Sequence, residues 1–259
     1  MSTDDIDAMA AQFATDVLAF GAHPDDVEIF CGGTVIRLVE LGYRIGVVDL
    51  TRGEIASLGT PEQRAAEANA ASRMLGLHFR ENLGLPDGFI GPAPLEKMVE
   101  VIRRRRPEIM LVPWIEERHP DHAAAGVLLT KAAFFARVRK FATDPPSESF
   151  RPRQLLDYQM RYRMAPSFIM DTAAAAERKR QAIACYASQV THDPNGVVTL
   201  LSSPRAIEAI EACDRLYGSM IGVSHGEPLR APNALGLVDP VAHFRPNGFS
   251  EAHAFEGVR

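Results

Sequence analysis

Short apolar runs alternate with segments of helical periodicity over the first half of the chain. The apolar runs end in turn residues, as buried strands do, and they cover residues 17–21, 44–50, 78–83 and 109–113. We expect the run at 78–83 to be an edge strand. The periodic segments are mostly ended by glycine or proline, and they cover residues 35–41, 62–75, 95–106 and 121–140.

This alternation of strand and helix predicts the fold class. It is typical of an α/β protein with a doubly wound, mostly parallel (Rossmann-like) sheet that carries helices on both faces. We predict one domain over residues 16–230, between a flexible N-terminus, 1–15, and an extended C-terminal tail, 231–259. The second half of the domain is less regular, with predicted strands at 155–162 and 168–171 and predicted helices at 177–189 and 203–217.

Histidine and aspartate cluster at the ends of two predicted strands. His23, Asp25 and Asp26 follow the first strand, and His119 and His122 follow the fourth. In a parallel sheet the carboxyl ends of the strands share one edge, where ligands bind. Imidazole and carboxylate groups are zinc ligands, and a further carboxylate can hold or deprotonate a water molecule. The two clusters together predict a divalent metal site at this edge.

Composition narrows the class of partner. The chain has 259 residues, of which 46% are hydrophobic and 24% charged, as is typical of a globular domain with a sizeable core. The formal net charge of −5 does not favour a nucleic-acid partner. The basic run at 103–106 is local, and we interpret it as the solvated last turn of a helix, with a subunit contact as the alternative.

The cysteines and the N-terminus indicate a cellular compartment. Cys31, Cys185 and Cys213 are odd in number and form no CxxC pair, which favours a reducing compartment over a disulfide framework. No apolar stretch approaches the roughly 18 residues of a membrane span, and the acidic N-terminus does not suit a signal peptide. We therefore expect a cytoplasmic protein with no membrane partner.

Three features near the clusters have ordinary structural interpretations. The pair Gly32-Gly33 favours close packing of a helix start, because the GxGxxG pattern of a dinucleotide site is absent. The pattern favours an exposed Arg64 that pairs with Glu62 or Glu67. Glu28 is interpreted as structural, or as the acceptor of a metal ligand's second N–H.

Two motifs carry a family resemblance. Residues 21–28 read GAHPDDVE and are followed by GGT at 32–34, and residues 119–122 read HPDH. These motifs resemble the LmbE-like, or PIG-L, family of zinc-dependent N-acetylglucosaminide deacetylases. Within that family the chain is most similar to the N-acetylglucosaminyl-malate deacetylases of bacillithiol biosynthesis, through residues 49–54, 59–64, 81–88, 187–189 and 217–223. The resemblance covers residues 16–230 and implies a hydrolase that releases acetate from an N-acetyl group.

The resemblance implies a role for each matching residue. His23, Asp26 and His122 would be the ligands of Zn²⁺, although Fe²⁺, Co²⁺ or Mn²⁺ suits the same donors. Asp25 would be the general base, and His119 a general acid or oxyanion stabiliser.

Substrate contacts follow from the same resemblance. Arg64 matches a family arginine near the substrate. Arg52, Arg64 and Arg118 suit an anionic aglycone such as malate, because a guanidinium group binds a carboxylate with two hydrogen bonds. Some relatives place a tyrosine over the metal, and the candidates here are Tyr162, Tyr186 and Tyr217.

Other functions stay open at this point. The substrate could be another N-acetylglucosamine conjugate, such as a chito-oligosaccharide or a thiol conjugate that is cleaved at its amide. A non-catalytic metal- or sugar-binding protein is a further alternative. We expect a small-molecule partner and a homo-oligomer, with a hexamer as one form that the family habit suggests.

Overall fold

A mixed seven-stranded sheet forms the centre of the computed structural model, which describes residues 14–236 and 238–239. The strands are β1 (Val17–Gly21), β2 (Ile45–Thr51), β3 (Phe79–Leu85), β4 (Ile109–Pro113), β5 (Gln154–Tyr158), β6 (Phe168–Asp171) and β7 (Gly226–Arg230). The helices are α1 (Asp26–Glu40), α2 (Pro61–Leu75), α3 (Leu95–Arg105), α4 (Pro120–Ala136), α5 (Ala176–Ala184), α6 (Ala187–Val190) and α7 (Ala206–Met220).

The strand order brings the two histidine clusters together. The order is β3-β2-β1-β4-β5-β7-β6, and β1 pairs in parallel with both β2 and β4. The chain runs outward from β1 to β3 and then returns to the other side of β1 as β4. Sheets of this kind bind ligands where the strand order reverses, and the loops after β1 and β4 meet at that point.

Alternate side chains of β1 enter two different cores, because successive residues of a strand face opposite sides of the sheet. Leu18 and Phe20 pack with α3 and α4, whereas Val17 and Ala19 pack with α1 and α5. Helices therefore cover both faces of the sheet. The predicted α/β class with a mostly parallel sheet and a less regular second half is confirmed, and β3 is an edge strand as expected.

The last strand, β7, was not predicted. It pairs antiparallel with β5 and β6, and its Glu227 accepts hydrogen bonds from the backbone N–H groups of Gly33 and Thr34 at 2.9 and 2.6 Å. A Cβ atom on Gly33 would lie 2.9 Å from the Glu227 carboxylate and 2.8 Å from Cβ of Thr172. Gly33 thus permits close packing, as expected, although the partner is the C-terminal strand.

The interpretation of the arginine run at 103–106 as a solvated helix turn is wrong for its first residue. Arg103 is 3% exposed and donates to backbone carbonyls at the end of α4 and in the segment after it, those of Phe135, Ala136, Val138, Phe141 and Ser147. Arg104 and Arg105 pair with Glu81 of β3, with N–O distances of 2.9 Å for each pair. A basic residue in the last turn of a core helix can lie inward where free carbonyl groups accept its hydrogen bonds.

Several predicted boundaries differ from the structure. Helix α1 begins at Asp26, directly after the first cluster, and its backbone is kinked at Cys31. The predicted helix 177–189 is broken between α5 and α6, where Tyr186 turns its buried ring into the core. The strand expected at 155–162 ends at Tyr158, α4 ends at Ala136, and α7 begins at Ala206 after Pro204.

Both predicted terminal segments lie mostly outside the described residues, and their flexible or extended character stays a prediction. Of the N-terminal one, Thr15 is buried, and its backbone N–H donates to the carbonyl of Arg105 at 2.9 Å. Of the tail, Ala231 is buried beside Ser167. Across the part of the chain that the structure describes, no helix is long and apolar enough to cross a bilayer.

Candidate metal centre

The loop after β1 holds its polar side chains in a strained turn. Asp25 has a φ angle of 111°, in the left-handed region that residues other than glycine rarely occupy. The Asp26 carboxylate accepts a hydrogen bond from the backbone N–H of His23 at 2.9 Å. This bond fixes the turn and orients one Asp26 oxygen. Such strain persists where surrounding contacts enforce it, and it is common at functional sites.

Three side chains, those of His23, Asp26 and His122, form a triangle in which Asp26 presents a different carboxylate oxygen to each histidine. His23 Nδ1 lies 3.2 Å from His122 Nε2 and 3.7 Å from Asp26 Oδ2, and His122 Nε2 lies 3.3 Å from Asp26 Oδ1. Zinc–ligand bonds of about 2.0–2.2 Å separate neighbouring tetrahedral ligand atoms by about 3.3–3.6 Å. Two imidazoles and one carboxylate are donors of the kind that Zn²⁺ or a similar cation accepts. The assignment of these three residues as the ligands stays a prediction.

Two further carboxylates face the other side of His23. Its Nε2 lies 2.9 Å from Asp87 Oδ1 and 3.5 Å from Asp121 Oδ2. Asp87 is itself held by the backbone N–H of Ile55, and Asp121 by that of Gly88. Carboxylates in this position fix the ring orientation and tautomer of a metal-binding histidine. Sequence reasoning assigned Asp87 only to a turn, although its place after a strand end was the available signal.

His119 is fixed by the start of α4. Its Nδ1 accepts a hydrogen bond from the backbone N–H of Asp121 at 3.2 Å, and its ring stacks on that of His122 with 4.4 Å between centroids. Because Nδ1 is an acceptor, the neutral ring carries its proton on Nε2. His119 is exposed at the cavity wall and also brings a ring nitrogen within 4.8 Å of those of His23 and His122.

Arg64 is buried against the general-base candidate, not exposed as the pattern favoured. It is 4% exposed, and its Nη2 donates to the carbonyl of Pro24 and, at 3.1 Å, to Oδ2 of Asp25. The local partners expected from the pattern, Glu62 and Glu67, are not its contacts. The resemblance placed Arg64 near the substrate, and that role stays a prediction; the structure places its side chain beside Asp25.

Burial and charge shift the protonation of these groups in different directions. Burial raises the pKa of Asp25 to about 7, although the charge of Arg64 lowers it. The pKa of Asp26 is held well below its usual range, because His122 and His23 outweigh the effect of burial. Burial and the neighbouring charges of His122 and His23 lower the pKa of His119. His23 has its pKa raised to about 12, since Asp121, Asp26 and Asp87 overcome the effect of burial.

Glu28 has a structural role away from the metal donors. It is fully buried, forms an ion pair with Arg80 and accepts a hydrogen bond from the Tyr186 hydroxyl at 3.2 Å. It does not accept a second N–H from a metal ligand, which was one interpretation of its sequence position. Arg80 also pairs with Asp49 near the end of β2. The Glu28–Arg80–Asp49 network therefore connects α1, which follows the first histidine motif, to β2 and β3.

A cavity of about 350 Å³ opens beside these groups. It is lined by the predicted residues His23, Asp25, Asp26, Arg64, Arg118, His119 and His122. Arg52 does not line it and is exposed near Gly84. All five tyrosines lie in the described part of the chain, and none lines the cavity. Among the residues that sequence reasoning missed are Asp87, Glu117 and Arg161.

The chain matches one family model and several characterised relatives. Residues 18–133 match the family described as PIG-L: GlcNAc-PI de-N-acetylase. Diacetylchitobiose deacetylase of Thermococcus kodakarensis is 29% identical over 241 residues, 88% of this chain and 87% of the relative. The 4-oxalmesaconate hydratase of Pseudomonas putida is 29% identical over 192 residues, 66% of this chain and 73% of the relative.

One solved structure is similar to this chain over most of the length of both proteins. A conserved protein of Thermus thermophilus has a TM-score of 0.79 and 38% identity, and the match covers 86% of this chain and 97% of that one.

Proposed function

The chain belongs to the PIG-L, or LmbE-like, family of deacetylases, and from this premise we propose that it removes the acetyl group from N-acetylglucosaminyl malate. Hydrolytic N-deacetylation of an N-acetylglucosamine-type conjugate is the activity that the family relationship supports. The observation that carries the proposal is the triangle of His23, Asp26 and His122 at the base of a cavity that Asp25 and His119 also line.

His23, Asp26 and His122 would hold the metal ion, Zn²⁺ in our proposal. When bound there, the ion supplies a Lewis acid that polarises the acetyl carbonyl and makes water more acidic. Fe²⁺, Co²⁺ and Mn²⁺ remain alternatives, since selectivity among these ions depends on more than the identity of the donors. Asp87 and Asp121 would keep His23 in the tautomer that binds through Nδ1.

Asp25 is proposed as the general base. Arg64 occupies its Oδ2, so Oδ1 would take a proton from the attacking water and return it to the leaving nitrogen. A carboxyl group with a pKa near 7 is suited to both halves of this transfer. The proton that Asp25 returns lets the nitrogen leave as a neutral amine. Without it the nitrogen would have to leave as an amide anion, which is a poor leaving group.

His119 is proposed to stabilise the oxyanion of the tetrahedral intermediate. Its Nδ1 is occupied by the Asp121 N–H, so Nε2–H would donate to the developing negative charge. The lowered pKa of the ring keeps it neutral, and the neutral ring retains the required donor.

The malate part of the substrate is supported by Arg118, which lines the cavity and is free to meet a carboxylate. The similarity to diacetylchitobiose deacetylase favours a second candidate, a chito-oligosaccharide. The similarity to a hydratase makes water addition to an unsaturated carboxylate a necessary control reaction. A cytoplasmic homo-oligomer stays our expectation for the assembly, and light scattering after size-exclusion chromatography measures it.

Acetate release tests the proposal. The zinc-loaded protein and Asp25→Asn would be given N-acetylglucosaminyl malate, N-acetylglucosamine and diacetylchitobiose at equal concentrations. We expect a clear preference for the malate conjugate that is lost in the variant. Preference for diacetylchitobiose would reject the malate assignment and retain the deacetylase. Hydration of an unsaturated carboxylate with no acetate from any conjugate would reject both.

A further inference from the structure

Two arginines, Arg118 and Arg161, line the cavity, and within the described residues their guanidinium groups take part in no hydrogen bond or ion pair. The backbone N–H of each residue is bonded. Arg64, the third arginine of the cavity, is already bonded to Asp25 and to the Pro24 carbonyl. A guanidinium group carries five donors, so this wall of the cavity offers unused donors to a ligand.

The nearby carboxylate of Glu117 forms no ion pair with either guanidinium group among the described residues, although its charge acts to raise the pKa of Arg161. Its Oε1 accepts from the backbone N–H of Arg118 at 2.8 Å, and its Oε2 accepts from the backbone N–H groups of Arg161 and Tyr162 at 2.6 and 3.2 Å. Glu117 therefore joins two segments that lie more than forty residues apart in the chain. The backbones of both arginines are fixed by Glu117, whose carboxylate oxygens accept hydrogen bonds from backbone N–H groups and not from the guanidinium groups of these residues.

The Arg161 side chain is also held by an aromatic ring. Its guanidinium carbon lies 5.4 Å from the centroid of Phe30, which lines the same cavity. Arginine on an aromatic face loses little of its hydrogen-bonding capacity. Burial and the like charge of Arg118 lower the pKa of Arg161. Two cations that repel each other in a partly buried wall are stabilised when an anion lies between them.

We infer that Arg161, together with Arg118, binds a carboxylate of the group attached to the sugar and so selects anionic conjugates. Arg161 is then a specificity-determining residue, and Glu117 is a positioning residue that acts through the backbone. The identity of the sugar part rests on the proposed function, whereas the carboxylate site rests on the unpaired guanidinium groups. The planar fork of arginine suits a carboxylate, to which it can donate two parallel hydrogen bonds.

Kinetics with a charged and a neutral substrate test this inference. Wild type, Arg161→Gln and Arg161→Lys would be assayed in the zinc-loaded form with N-acetylglucosaminyl malate and with methyl N-acetylglucosaminide. We expect Arg161→Gln to raise KM for the malate conjugate by about 10- to 100-fold with little change in kcat, as the loss of a charged hydrogen bond does. KM for the neutral glycoside should not change, and Arg161→Lys should recover part of the loss.

Arg163→Gln is the matched control, because Arg163 lies two residues away, is exposed and does not line the cavity. It should behave as wild type with both substrates. An unchanged KM for the malate conjugate in Arg161→Gln, or an equal rise for both substrates, would overturn the inference and leave the deacetylase standing.

If no acetate is released from any substrate, the proposed function is rejected. Calorimetric titration with malate then tests the carboxylate site on its own. Malate that binds the wild type at least about tenfold more tightly than Arg161→Gln would still support the carboxylate site. Equal malate affinity of the two proteins would overturn it.

Discussion

The floor and the wall of the cavity are built in different ways. The floor consists of His23, Asp26 and His122, which lie in two short motifs directly after neighbouring parallel strands. The wall contains Arg118 and Arg161, which come from two segments that Glu117 joins by accepting backbone hydrogen bonds from both. The floor is thus encoded locally and the wall by long-range contacts. Chemistry that the family shares can be fixed in the floor while the wall varies with the substrate.

Removal of a floor ligand should give the largest effect. His122→Ala leaves His23 and Asp26 as a two-residue set, which we expect to lose the bound metal on dialysis. Acetate release should fall on the order of 10⁴-fold or more, because a Lewis acid contributes several kcal/mol to such a reaction. Metal content by mass spectrometry and acetate release measure the two losses. A variant that keeps stoichiometric metal would contradict the assigned ligand set.

Asp25→Asn should separate proton transfer from metal binding within the floor. Asparagine keeps the size of the side chain, but it cannot accept a proton at neutral pH. We expect full metal content and a fall in kcat of about 10²- to 10⁴-fold, with KM nearly unchanged. An equal loss of metal would show that Asp25 acts as a ligand, and a wild-type rate would remove it from the mechanism.

Asp87→Asn tests the layer of carboxylates behind His23. The variant keeps an acceptor but loses the negative charge 2.9 Å from His23 Nε2. Metal affinity should weaken by about 10- to 100-fold, as it does when such outer partners are changed. Competition with a chromophoric chelator measures the affinity. Asp193→Asn, in an exposed turn, is the control and should bind metal like the wild type.

A smaller effect, on folding stability, is expected for a buried carboxylate that has no histidine beside it. Asp87 and Asp121 lie beside His23, which keeps the pKa of Asp87 at about 2 and that of Asp121 below its usual range, despite burial. Asp157 on β5 faces only Arg230 at 3.4 Å, and burial raises its pKa to about 6. The folded protein then holds more protons than the unfolded chain between about pH 4 and 6, so folding stability falls as pH rises through that window.

Asp157→Asn should abolish that part of the pH dependence. Between pH 4 and 7 we expect the wild type to lose about 1–2 kcal/mol of unfolding free energy relative to the variant. Urea unfolding of both proteins at several pH values measures the difference. A constant difference across the window would show that Asp157 does not titrate there.

Sequence reasoning anticipated the floor because its signals are local. An apolar strand, a turn and a pair of ligand types are all visible within a few residues, and parallel pairing of β1 with β4 then brings the two motifs together. It missed Arg161, because the strand predicted over 155–162 ends at Tyr158 and the following turn is shaped by Glu117. It misplaced Arg64 and Arg103, because only tertiary structure reveals the buried acceptors that satisfy these charges.

The bond between Glu227 and the middle of α1 sets an order on biosynthesis. In the helix that carries Asp26, the N–H groups of Gly33 and Thr34, just after the kink at Cys31, donate to a carboxylate from the last strand, and Lys179 pairs with the same carboxylate at 2.7 Å. A ribosome that has made both histidine motifs has therefore not yet supplied the group that accepts these hydrogen bonds. Nascent chains arrested before β7 should stay sensitive to protease at the first motif.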